Sequence, residues 1–162
     1  MNLSPLLGHL ANLPAYKQLK RAIIGREPCP ATLRLPRAVR GTLAAALASD
    51  LGLPVVLLVS RSDRVLSLSE ELPSWSPELQ PLVFPEPTPL FYEHAPWGPR
   101  AIRQRAATLA RLTADRQPGG PIQQSLSAPT VVLASARAVM ARTLSLHQFL
   151  THSRWLQTGT TC

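Results

Sequence analysis

A proline-rich stretch at residues 84–96 divides the chain and restricts what can lie on either side of it. It reads Phe-Pro-Glu-Pro-Thr-Pro-Leu-Phe-Tyr-Glu-His-Ala-Pro, with four prolines in thirteen residues. Proline lacks an N–H group and fixes φ, so it cannot continue a helix, and it favours extended backbone at the preceding residue. The stretch is therefore predicted to be an extended connector between a short apolar strand at 81–84 and a helix near 100–113.

The helix behind this connector contains one arginine that breaks its pattern. At 100° per residue, Arg105 lies between Leu109 and Leu112 on the helical wheel, and we expect it to point inward. Arg100, Arg103 and Arg111 are expected on the solvent side, where they are candidate contacts for nucleic acid. The predicted inward face also holds the apolar residues Ile102, Ala106, Leu109 and Leu112.

A buried guanidinium is costly unless it is paired and hydrogen-bonded. The acids nearest to Arg105 in sequence are Glu86 and Glu93, both on the connector. We therefore predict that Arg105 forms a structural clamp on the connector through one of these two carboxylates. The alternative is that Arg105 extends along the helix edge and keeps its charge in water.

Apolar runs of strand length alternate with helical patterns on both sides of the connector. Val55–Val59 is a continuous apolar run, as expected of a central parallel strand covered on both faces. A first helix is predicted with Asn2 or Ser4 as its cap. Strands are also predicted at 31–35, 81–84 and 130–134, and further helices at 14–24, 36–51, 63–72, 100–113 and 135–142. This alternation predicts an α/β fold with a parallel sheet.

Several of these residues together resemble the N-terminal module of bacterial transcription-repair coupling factor, which is itself similar to the first domain of excinuclease B. The likeness extends from about residue 33 to 150 and includes the segments 130–140 and 146–150. The matching residues around the connector are Phe84, Pro85, Glu86, Pro89, Leu90, Tyr92, Glu93, Pro96, Ile102, Arg105, Leu109 and Leu112.

The resemblance implies a partial P-loop NTPase-like (RecA-like) three-layer domain. It divides the chain into a helical lead-in at 1–28, an excinuclease-B-like domain 1a at 29–150, and a truncated start of a following domain at 151–162. It also implies a fragment of a protein that acts in transcription-coupled nucleotide-excision repair. The implied partners are the remainder of the coupling factor, excinuclease A, RNA polymerase and DNA, mostly through regions beyond these residues.

The turn before residue 37 occupies the place of a phosphate-binding loop. A working loop needs glycines that let backbone N–H groups wrap phosphates, a lysine, and a Ser or Thr for magnesium. The chain offers one glycine and no Gly-Lys-Ser/Thr sequence; the corresponding residues are Pro36, Arg37, Arg40, Gly41 and Thr42. We predict a degenerate loop that binds no nucleotide. Arg37 and Arg40 could still meet an anion at the helix N-terminus or remain solvated.

Composition limits which cofactors, cellular location and ligands can be expected for the chain. The two cysteines and four histidines show no metal-ligand spacing, and we find no catalytic constellation, so neither a cofactor nor an enzymatic activity is predicted. No apolar run reaches the roughly 18 residues that span a bilayer, and a cytoplasmic location is expected. The net charge of +8, with Asp115 as the last acid, permits nucleic-acid contact. A genome that favours arginine codons would give the same charge.

Three functions therefore compete. The first is a noncatalytic domain of a coupling factor. The second is a small basic nucleic-acid-binding protein that uses its arginine-rich surface. The third is a nucleotide-dependent enzyme with a diverged loop.

Overall fold

The computed structural model of the chain describes residues 2–28, 34–89, 93, 95–114 and 128–154. These residues form an α/β structure with a small parallel sheet. Its helices are α1 (Ser4–Asn12), α2 (Pro14–Gly25), α3 (Arg37–Leu51), α4 (Ser62–Trp75), α5 (Pro99–Leu112), α6 (Ala136–Met140) and α7 (Leu146–His152), and its strands are β1 (Val55–Val59), β2 (Gln80–Phe84) and β3 (Thr130–Ser135).

The three strands pair in the order β1-β3-β2, and both pairings are parallel. All six residues of β3 are buried, as expected of a central strand covered on both faces. The prediction that Val55–Val59 is the central strand is wrong for the described sheet. Among the described residues β1 pairs only with β3, and Val56 and Leu58 on one of its faces are each 55% exposed.

The main core lies between α3, α4 and one face of the sheet. Alanines of α3 allow that helix to lie close to α4 and to β3, whose Val131 and Leu133 point toward it. Because side chains alternate along a strand, Phe84 of β2 points to the opposite face, where α5 packs. This arrangement is compatible with three layers, helix on sheet on helix. The core comprises Ala44, Ala45, Ala48, Val65, Leu68, Leu72, Leu79, Val131 and Leu133.

The N-terminal helices attach to α3 and α4. The Tyr16 hydroxyl of α2 donates a 2.9 Å hydrogen bond to Asp50 Oδ2 on α3, and Lys20 Nζ lies 3.1 Å from the same oxygen. The backbone N–H of Leu3 donates to the carbonyl of Ser74 at 2.7 Å. These contacts hold α1 and α2 against the main core.

The starts of these two helices differ in how well the sequence marks them. The predicted bounds of α2 agree with the structure to within a residue, because Pro14 is tolerated in a first turn. The predicted caps of α1 are wrong, since its N-cap residue is Leu3. Asn2 still contributes there, because its Oδ1 accepts a 2.9 Å hydrogen bond from the backbone N–H of Ser4.

None of the helices among the described residues combines the length and the apolar character needed to cross a membrane.

Candidate functional site

The connector leaves β2 at the edge of the sheet where β3 also ends, because the two strands are parallel. Ser135, the last residue of β3, donates a 2.6 Å hydrogen bond to Glu86 Oε1. Arg137, on α6, lies 3.5 Å from Glu86 Oε2 and donates to the carbonyl of Pro89 at 2.9 Å. The Glu86 carboxylate thus joins the connector to the end of the central strand.

The Ser135 hydroxyl also takes part in a second hydrogen bond at the same position. Its Oγ accepts a 3.1 Å hydrogen bond from the backbone N–H of Ala138 and so caps the N-terminus of α6. A serine in this position satisfies an amide that the helix itself leaves without a partner. One hydroxyl therefore links the strand end, the short helix and the connector.

Arg105 holds the other side of the connector. It is only 4% exposed. Its Nη1 donates 3.0 Å hydrogen bonds to the carbonyls of Pro85 and Ala138, and its Nη2 donates to Thr143 Oγ1. A planar guanidinium offers five donors in a fixed fork, which suits the simultaneous binding of acceptors on three separate segments.

Two aromatic rings complete the surroundings of this guanidinium. Its central carbon lies 3.8 Å from the centre of the Phe84 ring and 4.9 Å from that of Trp97. The faces of both rings carry partial negative charge and attract a cation. Burial lowers the pKa of Arg105 from its ordinary value, yet arginine titrates so far above neutrality that the group keeps its charge.

The structure therefore changes the partners in the predicted clamp. Arg105 points inward as predicted, and the alternative of a solvated helix edge is wrong. The predicted ionic partner Glu86 instead binds Ser135 and Arg137, while Arg105 binds the neighbouring carbonyl of Pro85. A role of Glu93 in the clamp stays a prediction.

A further hydrogen bond joins the connector to the residue that precedes α5. Thr88 Oγ1 accepts a 3.0 Å hydrogen bond from the backbone N–H of Gly98, the residue before α5. A Cβ atom at position 98 would lie 2.9 Å from that oxygen, a distance at which one of the two groups must move. Glycine at position 98 therefore allows the segment before α5 to approach Thr88 of the connector closely.

The exposed face of α5 also differs from its prediction. The residues that α5 buries are Ala101, Arg105 and Thr108, whereas Ile102 is 52% exposed. Arg100 and Arg103 are exposed as predicted. The expectation for Arg111 is wrong, because its side chain is half-buried, and its Nε is buried without a hydrogen-bond partner in the described structure.

The residues predicted to form a degenerate phosphate loop lie largely within a helix. Pro36 is the N-cap residue of α3, and Arg37 and Arg40 are exposed in its first turn. Gly41 and Thr42 are buried helical residues. A Cβ at Gly41 would lie 3.1 Å from Leu68 Cδ2, so this glycine permits the close packing of α3 on α4.

The strand predicted at 31–35 is not present in its described part, since Arg34 and Leu35 are not in a strand. Its residues 31–33 lie outside the described residues. No group of three or more His, Cys, Asp or Glu side chains that could hold a metal ion occurs in the described ranges.

Sequence reasoning missed four residues of the site: Ser135, Arg137, Thr143 and Trp97. Only Ser135 gave a usable signal, because a serine between an apolar strand and a short helix is a typical N-cap. Thr143 and Trp97 reach Arg105 through the tertiary fold, and nothing in their local sequence indicates it.

Comparison with known proteins gives no assignment for this chain. No protein-family model matches it, and no curated protein matches it.

Proposed function

We propose that this chain is a noncatalytic, RecA-like domain from the N-terminal end of a transcription-repair coupling factor, and that it contributes structure rather than chemistry to a longer protein. The observation that carries the proposal is the Arg105 clamp. Within the motif that resembles the family, Arg105 is the charged residue on the inward side of the helix, and it is bound to the proline-rich connector of the same motif.

The local structure of α3 supports the noncatalytic part of this proposal. An ATP-binding loop needs free backbone N–H groups and a lysine in front of the helix. Here the helix starts after Pro36, and its glycine packs against Leu68. Arg37 and Arg40 remain as exposed side chains without a glycine-rich loop around them.

The proposed task of the domain is to hold the connector at the edge where β2 and β3 end. Arg105 binds Pro85 from the α5 side, and Ser135 binds Glu86 from the β3 side. The two contacts fix the path of the chain between strand and helix. By resemblance, the domain works in the cytoplasm as part of a protein whose other regions bind excinuclease A, RNA polymerase and DNA.

Two measurements test this function. The purified chain is mixed with a transcription-repair coupling factor that lacks its own N-terminal module, and association is followed by co-purification. We expect the two to associate, and we expect Arg105→Ala to weaken the association. In parallel, ATP hydrolysis is measured with and without duplex DNA. Hydrolysis that depends on Arg37 would overturn the noncatalytic assignment, and a failure to associate would overturn the family assignment.

The second candidate function is nucleic-acid binding, which is favoured by the exposure of Arg100 and Arg103 on one helix. Binding that neutralises phosphates weakens steeply as salt rises. A gel-shift titration with duplex DNA at about 50 mM and about 200 mM salt therefore tests it. Binding that is lost in the double variant Arg100→Gln and Arg103→Gln would support this candidate, and no binding at the lower salt would exclude it.

A further inference from the structure

An open apolar groove lies between α5 and the segment that contains α7. The cavity has a volume of about 460 Å³, within the range of pockets that bind ligands. One wall is formed by Ile102 and Leu109 of α5, and the other by Leu144 and Phe149. Trp97 and Arg105 of the clamp also line the cavity, so the groove adjoins the connector.

The α5 wall is an apolar stripe that the described fold covers only in part. Ile102, Ala106 and Leu109 are spaced at i, i+4 and i+7, which places them on one side of a helix. Ile102 is 52% exposed, and Leu144 across the groove is 58% exposed. Exposed apolar side chains that face one another across a groove with a polar rim are a feature of interaction sites.

The described residues that line the groove are basic or neutral. The described ranges that supply them, 95–114 and 128–154, contain no aspartate or glutamate. Arg142 lines the groove itself, and Arg103 is exposed on the same helix as the apolar stripe. A partner that enters this groove therefore meets positive charge at its edges and apolar side chains at its centre.

We propose that this groove binds an amphipathic helix of a partner protein, with apolar residues on the face that enters the groove and acidic residues along its margins. Two helices line the groove, which is the geometry in which an amphipathic helix inserts its apolar side chains. The charge of the margins selects acidic over basic partners. The proposal rests on α5, on α7 and on the segment between α6 and α7, and it does not depend on the proposed function.

Nucleic acid fits the groove less well than such a helix. Single strands bind through aromatic rings on which bases can stack, and the Trp97 ring is already in contact with the Arg105 guanidinium. Phosphates would find no favourable partner in Ile102, Leu109 or Leu144. Duplex DNA is included in the test as a competitor of the peptide.

The test uses fluorescein-labelled peptides of about 15 residues, long enough to form a few helical turns. One peptide carries leucines at i, i+3, i+4 and i+7 with glutamates at the margins. A second replaces every glutamate by lysine, and a third scrambles the first. Fluorescence anisotropy with the intact chain should show saturable binding of the acidic peptide and little binding of the other two.

Variants of exposed groove residues locate the site. Ile102→Ser and Leu144→Ser should each weaken binding of the acidic peptide about tenfold, a change of about 1.4 kcal/mol. Arg142→Glu should weaken the acidic peptide and strengthen the lysine peptide. Ile24→Ser is the matched control, because Ile24 is 65% exposed on α2, and it should leave binding unchanged. Circular dichroism verifies that each variant folds.

Three results would overturn the proposal. The first is no saturable binding of the acidic peptide at concentrations on the order of 1 mM. The second is binding that Ile102→Ser and Leu144→Ser leave intact. The third is displacement of the peptide by duplex DNA or by self-association of the chain through the same residues, which would assign the groove to a nucleic acid or to a second copy.

Discussion

The Arg105 guanidinium lies 3.8 Å from the centre of the Phe84 ring and donates to the carbonyl of the very next residue, Pro85. One side chain of α5 therefore holds both the last residue of β2 and the first residue of the connector. The cation–π contact and the hydrogen bond together hold the guanidinium at this position. Such a double contact requires a planar, permanently charged group.

Replacement of Arg105 should reveal the strength of this contact. Arg105→Ala leaves the carbonyls of Pro85 and Ala138 without their side-chain donor, and we expect the free energy of unfolding to fall by about 3 kcal/mol. Arg105→Lys keeps the charge but loses the planar fork, and a loss of about 2 kcal/mol is expected. Urea denaturation followed by circular dichroism measures both.

The matched control for this pair is Arg103→Ala, two residues away on the exposed side of α5. Surface substitutions of this kind change stability by less than about 0.5 kcal/mol. If Arg105→Lys were as stable as the unaltered protein, the planar fork of the guanidinium would contribute nothing to stability. The positive charge alone would then account for the contact.

The contact between Ser135 and Glu86 should be measurable as a coupling. Ser135→Ala removes the cap of α6 and the 2.6 Å hydrogen bond to Glu86, and we expect a loss of about 2 kcal/mol. In a double-mutant cycle with Glu86→Ala, which removes the acceptor, a coupling energy of about 1 kcal/mol is expected.

Ser145 provides the comparison within the same chain, since it caps α7 in a capping box with Gln148. Ser145→Ala should cost about 1 kcal/mol and show no coupling to Glu86→Ala. Equal coupling of both serines to Glu86 would mean that the cycle reports a general change in the fold rather than the connector contact.

Most helices could be predicted because their ends are marked in the sequence. Pro14 and Pro99 stand in the first turns of α2 and α5, and Gly52, with φ of 61°, ends α3. The position of each strand in the sheet could not be predicted in the same way. Val55–Val59 and Thr130–Ser135 are both apolar runs of similar length, and the centre of the sheet is decided by pairing between distant segments.

In the candidate site, too, local sequence predicts some features, whereas others depend on contacts between segments that are far apart in the chain. The inward direction of Arg105 followed from helical periodicity, because it lies between Leu109 and Leu112 on the wheel. Its acceptors did not follow, since Ala138 and Thr143 are 33 and 38 residues away in sequence. The rule that a buried charge seeks an opposite charge favoured Glu86 or Glu93. Carbonyls, the Thr143 hydroxyl and aromatic rings surround the guanidinium in the described contacts, and the role of Glu93 stays a prediction.

Gly41 offers a test of whether this part of α3 serves packing or ligand binding. Alanine normally stabilises a helix interior by up to about 1 kcal/mol relative to glycine. At position 41 the new Cβ would lie 3.1 Å from Leu68 Cδ2 inside the core, so we expect Gly41→Ala to lower stability by about 1 kcal/mol. Thermal or urea unfolding measures the effect.

Gly8→Ala is the control, since a Cβ at Gly8 on α1 would meet no atom within 4 Å. It should raise stability by about 0.5–1 kcal/mol. A Gly41→Ala protein that is stabilised like Gly8→Ala would show that α3 and α4 have room to separate, and the packing role of Gly41 would be lost.

Tyr16 should make the stability of the fold fall at high pH. Burial, together with the hydrogen bond to Asp50, raises the pKa of the Tyr16 hydroxyl well above its ordinary value of 10.0. Above about pH 10, the unfolded chain loses this proton while the folded protein keeps it. The unfolded state then binds fewer protons, so stability declines as pH rises, by at most about 1.4 kcal/mol per pH unit for this one group. Below that pH the contribution is fully present.

Tyr16→Phe isolates this contribution, because it removes the proton and leaves Lys20 and Asp50 in place. The variant should be less stable at neutral pH by about 1 kcal/mol, the value of a typical hydrogen bond. Its stability should decline less steeply than that of the unaltered protein between about pH 9.5 and 11. Urea unfolding at a series of pH values gives the two curves, and parallel curves would contradict the raised pKa of Tyr16.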